Sequence, residues 1–126
     1  MENNVILVVD DDPCCRYTLE VLLRSYGFAV LSARNGMEAV EVAFAHTPMM
    51  IFMDLTMPGM DGYAATRAIH ARRFTADTPV AALSTHSDRE HRSKAFEAGM
   101  VEFIPKPWTP SDIQRTLNKY ACSHQV

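Results

Sequence analysis

The sequence predicts an α/β domain: a five-stranded parallel sheet in the order 2-1-3-4-5, doubly wound, with helices on both faces. Two observations predict it. Short apolar runs alternate with stretches of helical periodicity five times along the 126 residues, as expected of strands joined by right-handed crossover helices. Four of the five apolar runs also stop on reactive side chains: Asp10/Asp11, Asp54, Ser84 and Lys106. In open parallel sheets, chemistry gathers at the carboxyl ends of the strands.

Each element has its own justification. Val5 to Val9 is a continuous β-branched run, as in a strand covered on both faces, and it ends in Asp10, Asp11 and Asp12. Pro13 suits the first turn of a helix. Cys15, Leu19, Leu22, Leu23 and Tyr26 recur at helical spacing, and Gly27 stops that helix. Phe28 to Leu31 reads as the second strand. It carries no reactive tip, which suits an edge position. Asn35 is placed to cap the second helix, with Glu38 three residues on, as in a capping box. That helix carries Ala39, Val40, Ala43 and Phe44 and ends before Pro48. The third strand, from Met49 to Met53, surfaces at Asp54, where Pro58, Gly59 and Gly62 let no regular element continue.

A third helix runs from about Gly62 to His70, with Ala64, Ala65, Ala68 and Ile69 inward. Pro79 opens the fourth strand, Val80 to Leu83, which ends at Ser84. Ser87 or Asp88 caps the fourth helix, stopped by Gly99. Val101 to Ile104 is the fifth strand, followed by Pro105, Lys106 and Pro107. Thr109 caps the last helix, with Pro110 at its first position and Asp112 at its third. Residues Cys122 to Val126 read as a frayed tail.

Composition limits the function. One domain spans 1–126, with a core of about 4–120, large enough to bury a real interior. Hydrophobic residues are 48% and charged residues 21% of the chain, and the net charge is −3. That balance argues against direct nucleic-acid binding. No apolar run suits membrane insertion, and the N-terminus lacks a basic signal region, so a cytoplasmic location is expected. Cys14, Cys15 and Cys122 are too few for a disulfide framework and are read as reduced thiols. Cys15 shares the inward stripe of the first helix, so Cys14 should be the more exposed of the pair. Arg16, Arg72 and Arg73 are assigned to solvated faces, and His86 to a loop beside the site.

In the order 2-1-3-4-5, the first and third strands flank the switch point, which brings Asp10, Asp11 and Asp54 together. Carboxylates at close range repel unless a cation relieves them. An oxygen-only site of this kind suits Mg²⁺, which takes few protein ligands and keeps waters and phosphate oxygens. Lys106 adds a second cation and Ser84 a hydroxyl donor. Together they form a cradle for a phosphoryl group carried on Asp54, since a carboxylate can act as nucleophile and form an acyl phosphate.

The motifs VVDDDP, MDLTMPGMDG, LST and IPKPW, in this order and spacing, resemble the receiver domain of two-component response regulators, a flavodoxin-like fold. The likeness is to chemotaxis-type regulators, and TPVAALSTH and EAGMVEFIPKP lean toward receivers attached to hybrid sensor kinases. The resemblance implies a phosphorylation-dependent signalling switch, not a classical enzyme. Asp54 then looks like the phosphoacceptor, served by a histidine kinase or a histidine phosphotransfer protein that docks by the first helix near Cys14. The Mg²⁺ ligands would be Asp10, Asp11, Asp54 and the main chain of Thr56. Ser84, Thr85 and Lys106 would bind the phosphoryl group. Ser84 and Phe103 would form the switch, read by a downstream protein at the face of the fourth helix, fifth strand and fifth helix. Trp108 is expected next to that face, and the Lys106–Pro107 bond is expected to be cis.

Three departures stand out. Thr85 occupies a position where a smaller residue is commoner, Phe103 lacks the hydroxyl often found there, and Trp108 replaces a more usual Phe. A chain ending soon after its last helix reads as a free-standing receiver or one cut from a larger protein. Two rival classes stand beside this reading. A phosphatase of the haloacid dehalogenase type needs a second Asp two residues after the nucleophile, and Thr56 stands there. A phospho-independent pseudo-receiver would have no need of the intact set of Asp54, acid pair and Lys106.

Overall fold

A computed structural model describes residues 3–55, 57, 59–86 and 88–121. The expected calls on Thr56, Ser87 and Cys122 to Val126 lie outside the described residues. The chain runs β1 (Val5–Val9), α1 (Pro13–Ser25), β2 (Ala29–Ala33), α2 (Gly36–His46), β3 (Met50–Asp54), α3 (Gly62–His70), a 3₁₀ turn (Arg73–Thr75), β4 (Val80–Ser84), α4 (Arg89–Glu97), β5 (Glu102–Pro105) and α5 (Pro110–Tyr120). The sheet is wholly parallel in the order β2-β1-β3-β4-β5, which places β2 at the edge.

Strand alternation divides the core in two. Leu7, Val9, Ile51, Met53, Val80, Ala82 and Phe103 face α2, α3 and α4. Ile6, Val8, Met50, Phe52, Ala81, Leu83 and Ile104 face α1 and α5. β1, β3 and β4 are apolar on both sides because both sides are covered.

Helix starts follow the expected capping chemistry. Asp12 accepts from the Cys14 amide, Asp61 from Ala64, and Asp88 from His91. The full capping box belongs to α5: Thr109 accepts from the Asp112 amide and Asp112 from the Thr109 amide. At α2 the expected box is displaced. Asn35 accepts from the Glu38 amide, but the Glu38 carboxylate reaches back to the Arg34 amide, one residue before the cap.

Other expectations need correction. Tyr26 lies at the end of α1, past its inward stripe, and is exposed. The chain turns there through Gly27, whose φ of +96° suits glycine. β2 starts one residue later than expected and runs on to Ala33. Arg72 is exposed but rests over the Phe44 ring at 4.4 Å. Arg16 is not on a solvated face, since its side chain is only 18% exposed. Trp108 packs against the cluster that holds Ile104 of β5 and Ile113 and Leu117 of α5.

Candidate phosphoacceptor site

Register builds the site. Val9 pairs with Met53, so the next residues, Asp10 and Asp54, emerge side by side. Ser84 pairs with Pro105, and the Lys106 amide then donates to the Ser84 carbonyl at 2.7 Å. Four strand tips thus converge at one end of the sheet. Gly62 lets α3 begin directly against the tip of β3: a Cβ there would lie 2.4 Å from the Asp54 carbonyl oxygen.

Asp10 and Asp54 are buried, at 2% and 5% exposure, while Asp11 is exposed. One ligand atom from each of the three carboxylates lies within 4.8 Å of the others. Lys106 enters from β5. Its Nζ donates to Asp10 Oδ2 at 2.8 Å and stands 3.7 Å from Asp54 Oδ2. Burial pushes the lysine's pKa down, but the Asp10 hydrogen bond and the charges of Asp54 and Asp10 outweigh it and hold it above the ordinary value. Lys106 is therefore no solvated surface lysine. The Lys106–Pro107 bond is cis, as expected.

Three carboxylates against one ammonium leave a net negative site at the tip of the sheet. This donor set is all oxygen and partly open through Asp11. It fits a hard divalent cation that keeps part of its own hydration shell, as Mg²⁺ does.

The β1–α1 loop is tied tightly. Asp10 Oδ1 accepts from the Asp12 amide at 3.0 Å. Asp12 accepts the Cys15 thiol at 3.3 Å and the Cys14 amide at 3.0 Å. Those bonds, the thiol's first, lower the pKa of Asp12. Burial and then Asp12 raise that of Cys15. Cys14 is exposed, Cys15 half-buried, and both are free thiols. With Thr18, Thr85, Lys106, Pro107 and Trp108 they line a mostly apolar concavity.

In the opposite loop, the Ser84 side chain bonds to its near neighbour. Ser84 is buried and its hydroxyl donates to the His86 carbonyl at 3.0 Å, while accepting from the His86 amide at 2.9 Å. The structure therefore brings Asp10, Asp11, Asp54 and Lys106 together, and directs the Ser84 hydroxyl into its own loop. Thr85 is exposed on the concavity instead. The His86 ring stacks on His91, with centroids 4.8 Å apart and planes 17° apart, and His91 Nδ1 lies 2.7 Å from Asp88 Oδ1. Phe103 is buried in the core facing α4, under the Arg92 guanidinium at 5.0 Å from its ring centre.

Two neighbours of the site were not foreseen. Arg16 donates to the Asp10 carbonyl at 2.9 Å. The alternation Arg16, Glu20, Arg24 at four-residue steps is the signal that could have revealed it. Tyr63, on α3, is buried, and its hydroxyl has no hydrogen-bond partner among the described residues.

Comparison with known proteins agrees with the geometry. Residues 6–118 match the family described as response regulator receiver domain. The chain is 32% identical over 124 residues to the DNA-binding transcriptional regulator NtrC of Escherichia coli, covering 95% of this chain but only 26% of NtrC. It is 32% identical over 113 residues to protein PilH of Pseudomonas aeruginosa, covering 90% of this chain and 93% of PilH. Among solved structures, the receiver domain of a sensor histidine kinase from Pseudomonas aeruginosa, which has magnesium coordinated in its active site cleft, superposes with a TM-score of 0.87. That match has 33% identity and covers 94% of this chain and 98% of that one. Receiver domains are generally phosphoacceptor signalling modules rather than classical enzymes. This chain belongs to the response regulator receiver domain family of two-component signalling.

Proposed function

We propose that the chain is a phosphorylation-dependent switch in which Asp54 accepts a phosphoryl group from a phosphohistidine of a histidine kinase or phosphotransfer protein. The N–P bond of the donor breaks, an Asp54 Oδ–P bond forms, and the histidine keeps the electron pair. The observation that carries this reading is the pairing of three clustered carboxylates with one half-buried lysine at the end of the sheet. Asp10, Asp11, Asp54 and the main chain of Thr56 would hold Mg²⁺. When bound, Mg²⁺ supplies the neutralising charge that lets an anionic phosphoryl group approach.

The chain's own residues do the rest. Lys106 stands by Asp54 to pair with a phosphoryl oxygen, as a point charge on a held stem. Ser84 would exchange its bond to His86 for one to the phosphoryl group, with Thr85 at the rim. Moving that loop would change the packing of Phe103 under Arg92, and so the face of α4, β5 and α5 offered to a downstream protein. Residues 1–126 would act as one such domain. A cytoplasmic location is part of this reading. No helix among the described residues is long and apolar enough to cross a membrane.

Intact mass tests the proposal. After incubation with Mg²⁺ and a small phosphodonor, the wild type gains one phosphoryl group. Asp54→Asn, or wild type with chelator, gains none. A gain in either control contradicts the assignment of the site.

A further inference from the structure

We infer that Arg16 is a positioning residue for the acidic cluster: it holds the main chain of Asp10 and so sets how that carboxylate is presented to a cation. The inference rests on reading the cluster as a Mg²⁺ site, and concerns what keeps that site in shape.

Arg16 lies in the first turns of α1, yet its side chain runs back over the β1–α1 loop. Nη1 donates to the Asp10 carbonyl at 2.9 Å, and Nε faces Glu20 Oε2 at 3.6 Å. One guanidinium thus ties helix to loop through two of its edges. Arginine's rigid fork permits this, and a lysine ammonium has no equivalent geometry.

Glu20 explains why Arg16 stays there. It is buried on α1 beside Leu19 and Leu23, where an unpaired carboxylate is costly. Arg16 flanks it on one side and Arg24, at 3.7 Å, on the other. Arg24 is half in solvent, with its side chain 52% exposed, whereas Arg16 is largely enclosed at 18%. Arg16 is therefore the held member of the pair.

Among the described residues, four hydrogen bonds hold Asp10: its amide donates to the Ala33 carbonyl of β2 at 3.2 Å, and its oxygens receive three more. Its Oδ1 accepts from the Asp12 amide, its Oδ2 from Lys106 Nζ, and its carbonyl from Arg16. The Asp12 bond comes from the loop itself and the Lys106 bond from β5. Among the described residues, only Arg16 ties Asp10 to the body of α1. Groups that orient a metal ligand from behind typically change metal affinity 10–100-fold when removed.

The test is calorimetric titration of MgCl₂ into wild type, Arg16→Met, Arg16→Lys and Glu20→Gln at one ionic strength. Arg16→Met is expected to raise the Kd for Mg²⁺ about tenfold. Arg16→Lys keeps the charge but cannot serve both partners, so it recovers part of the loss. Glu20→Gln loosens Arg16 without removing it and has a smaller effect in the same direction. Melting with and without Mg²⁺ separates positioning from mere stability. Positioning shrinks the Mg²⁺-induced rise in Tm, whereas simple destabilisation lowers both melts equally. Folded Arg16→Met with the wild-type Kd overturns the inference alone. If that variant does not fold, wild-type Kd values in both Arg16→Lys and Glu20→Gln overturn it. A wild type that takes up no Mg²⁺ overturns the site reading along with it.

Discussion

The two loops that flank Asp54 are built differently. On the β1 side, Asp10 is tied to Asp12, Lys106 and Arg16, and α1 behind it buries Leu19, Glu20 and Leu23. On the β4 side, the Ser84 hydroxyl is bonded, among the described residues, within its own loop. The helix that follows, α4, buries Ala95 alone among its residues and leaves Phe96 exposed. Under its Lys94 lies Tyr63, whose hydroxyl has no hydrogen-bond partner among the described residues. Elements with few buried apolar contacts open at low cost. The side that gathers carboxylates is thus pinned, and the side proposed to answer phosphorylation is left free to shift.

Core truncation should show the contrast most strongly. Leu23→Ala on α1 is expected to cost about 2–5 kcal/mol, because Leu23 is fully buried. Phe96→Ala on α4 is expected to cost less than about 1 kcal/mol, as for surface positions generally. Urea denaturation of the two variants checks this, and equal losses would erase the distinction.

Tyr63 should behave in the opposite sense. A buried hydroxyl without a partner costs about 1–3 kcal/mol. Burial first, then the charges of Asp61, Asp88 and Glu90, raise the pKa of its phenol. Tyr63→Phe removes the orphan atom and keeps the ring, so it should stabilise the free protein by about 1 kcal/mol in the same assay. A destabilised variant would show that the hydroxyl is satisfied.

The α5 cap should give the smallest effect. Thr109→Ala should cost about 1 kcal/mol. The Thr109 amide first, then the Arg115 guanidinium, hold the Asp112 pKa below the usual carboxylate value. A carboxylate whose folded pKa is depressed adds stability above its unfolded pKa and loses it as pH falls through the folded one. Wild type should therefore lose more stability than Asp112→Asn between about pH 5 and pH 2. Parallel acid curves would remove the cap from the account.

Much of this was legible in the sequence because strand tips and core obey simple periods. Asp10, Asp54 and Lys106 were found by asking where apolar runs end, and β2 was assigned to the edge because its run ends on nothing reactive. Arg16 was missed because an arginine on a helix reads as solvated unless its partner is also inspected. That partner, Glu20, is buried, a fact that charge alone does not reveal. Tyr26 continued the apolar spacing, yet the helix ends at Ser25, and spacing does not say where a helix stops. That the Tyr63 hydroxyl meets no partner among the described residues depends on three-dimensional neighbours and leaves no mark in the chain.

The contrast between a pinned side and a movable side is tested most directly by amide hydrogen exchange, with and without Mg²⁺ and beryllofluoride, a stand-in for the phosphoryl group. In wild type, the β4–α4 loop and α4 should change their exchange on addition, while α1 keeps its free-state rates. Asp54→Asn should show no change in either helix. If α1 responds as strongly as α4, or α4 does not respond at all, the division of the site into a fixed side and a moving side is wrong.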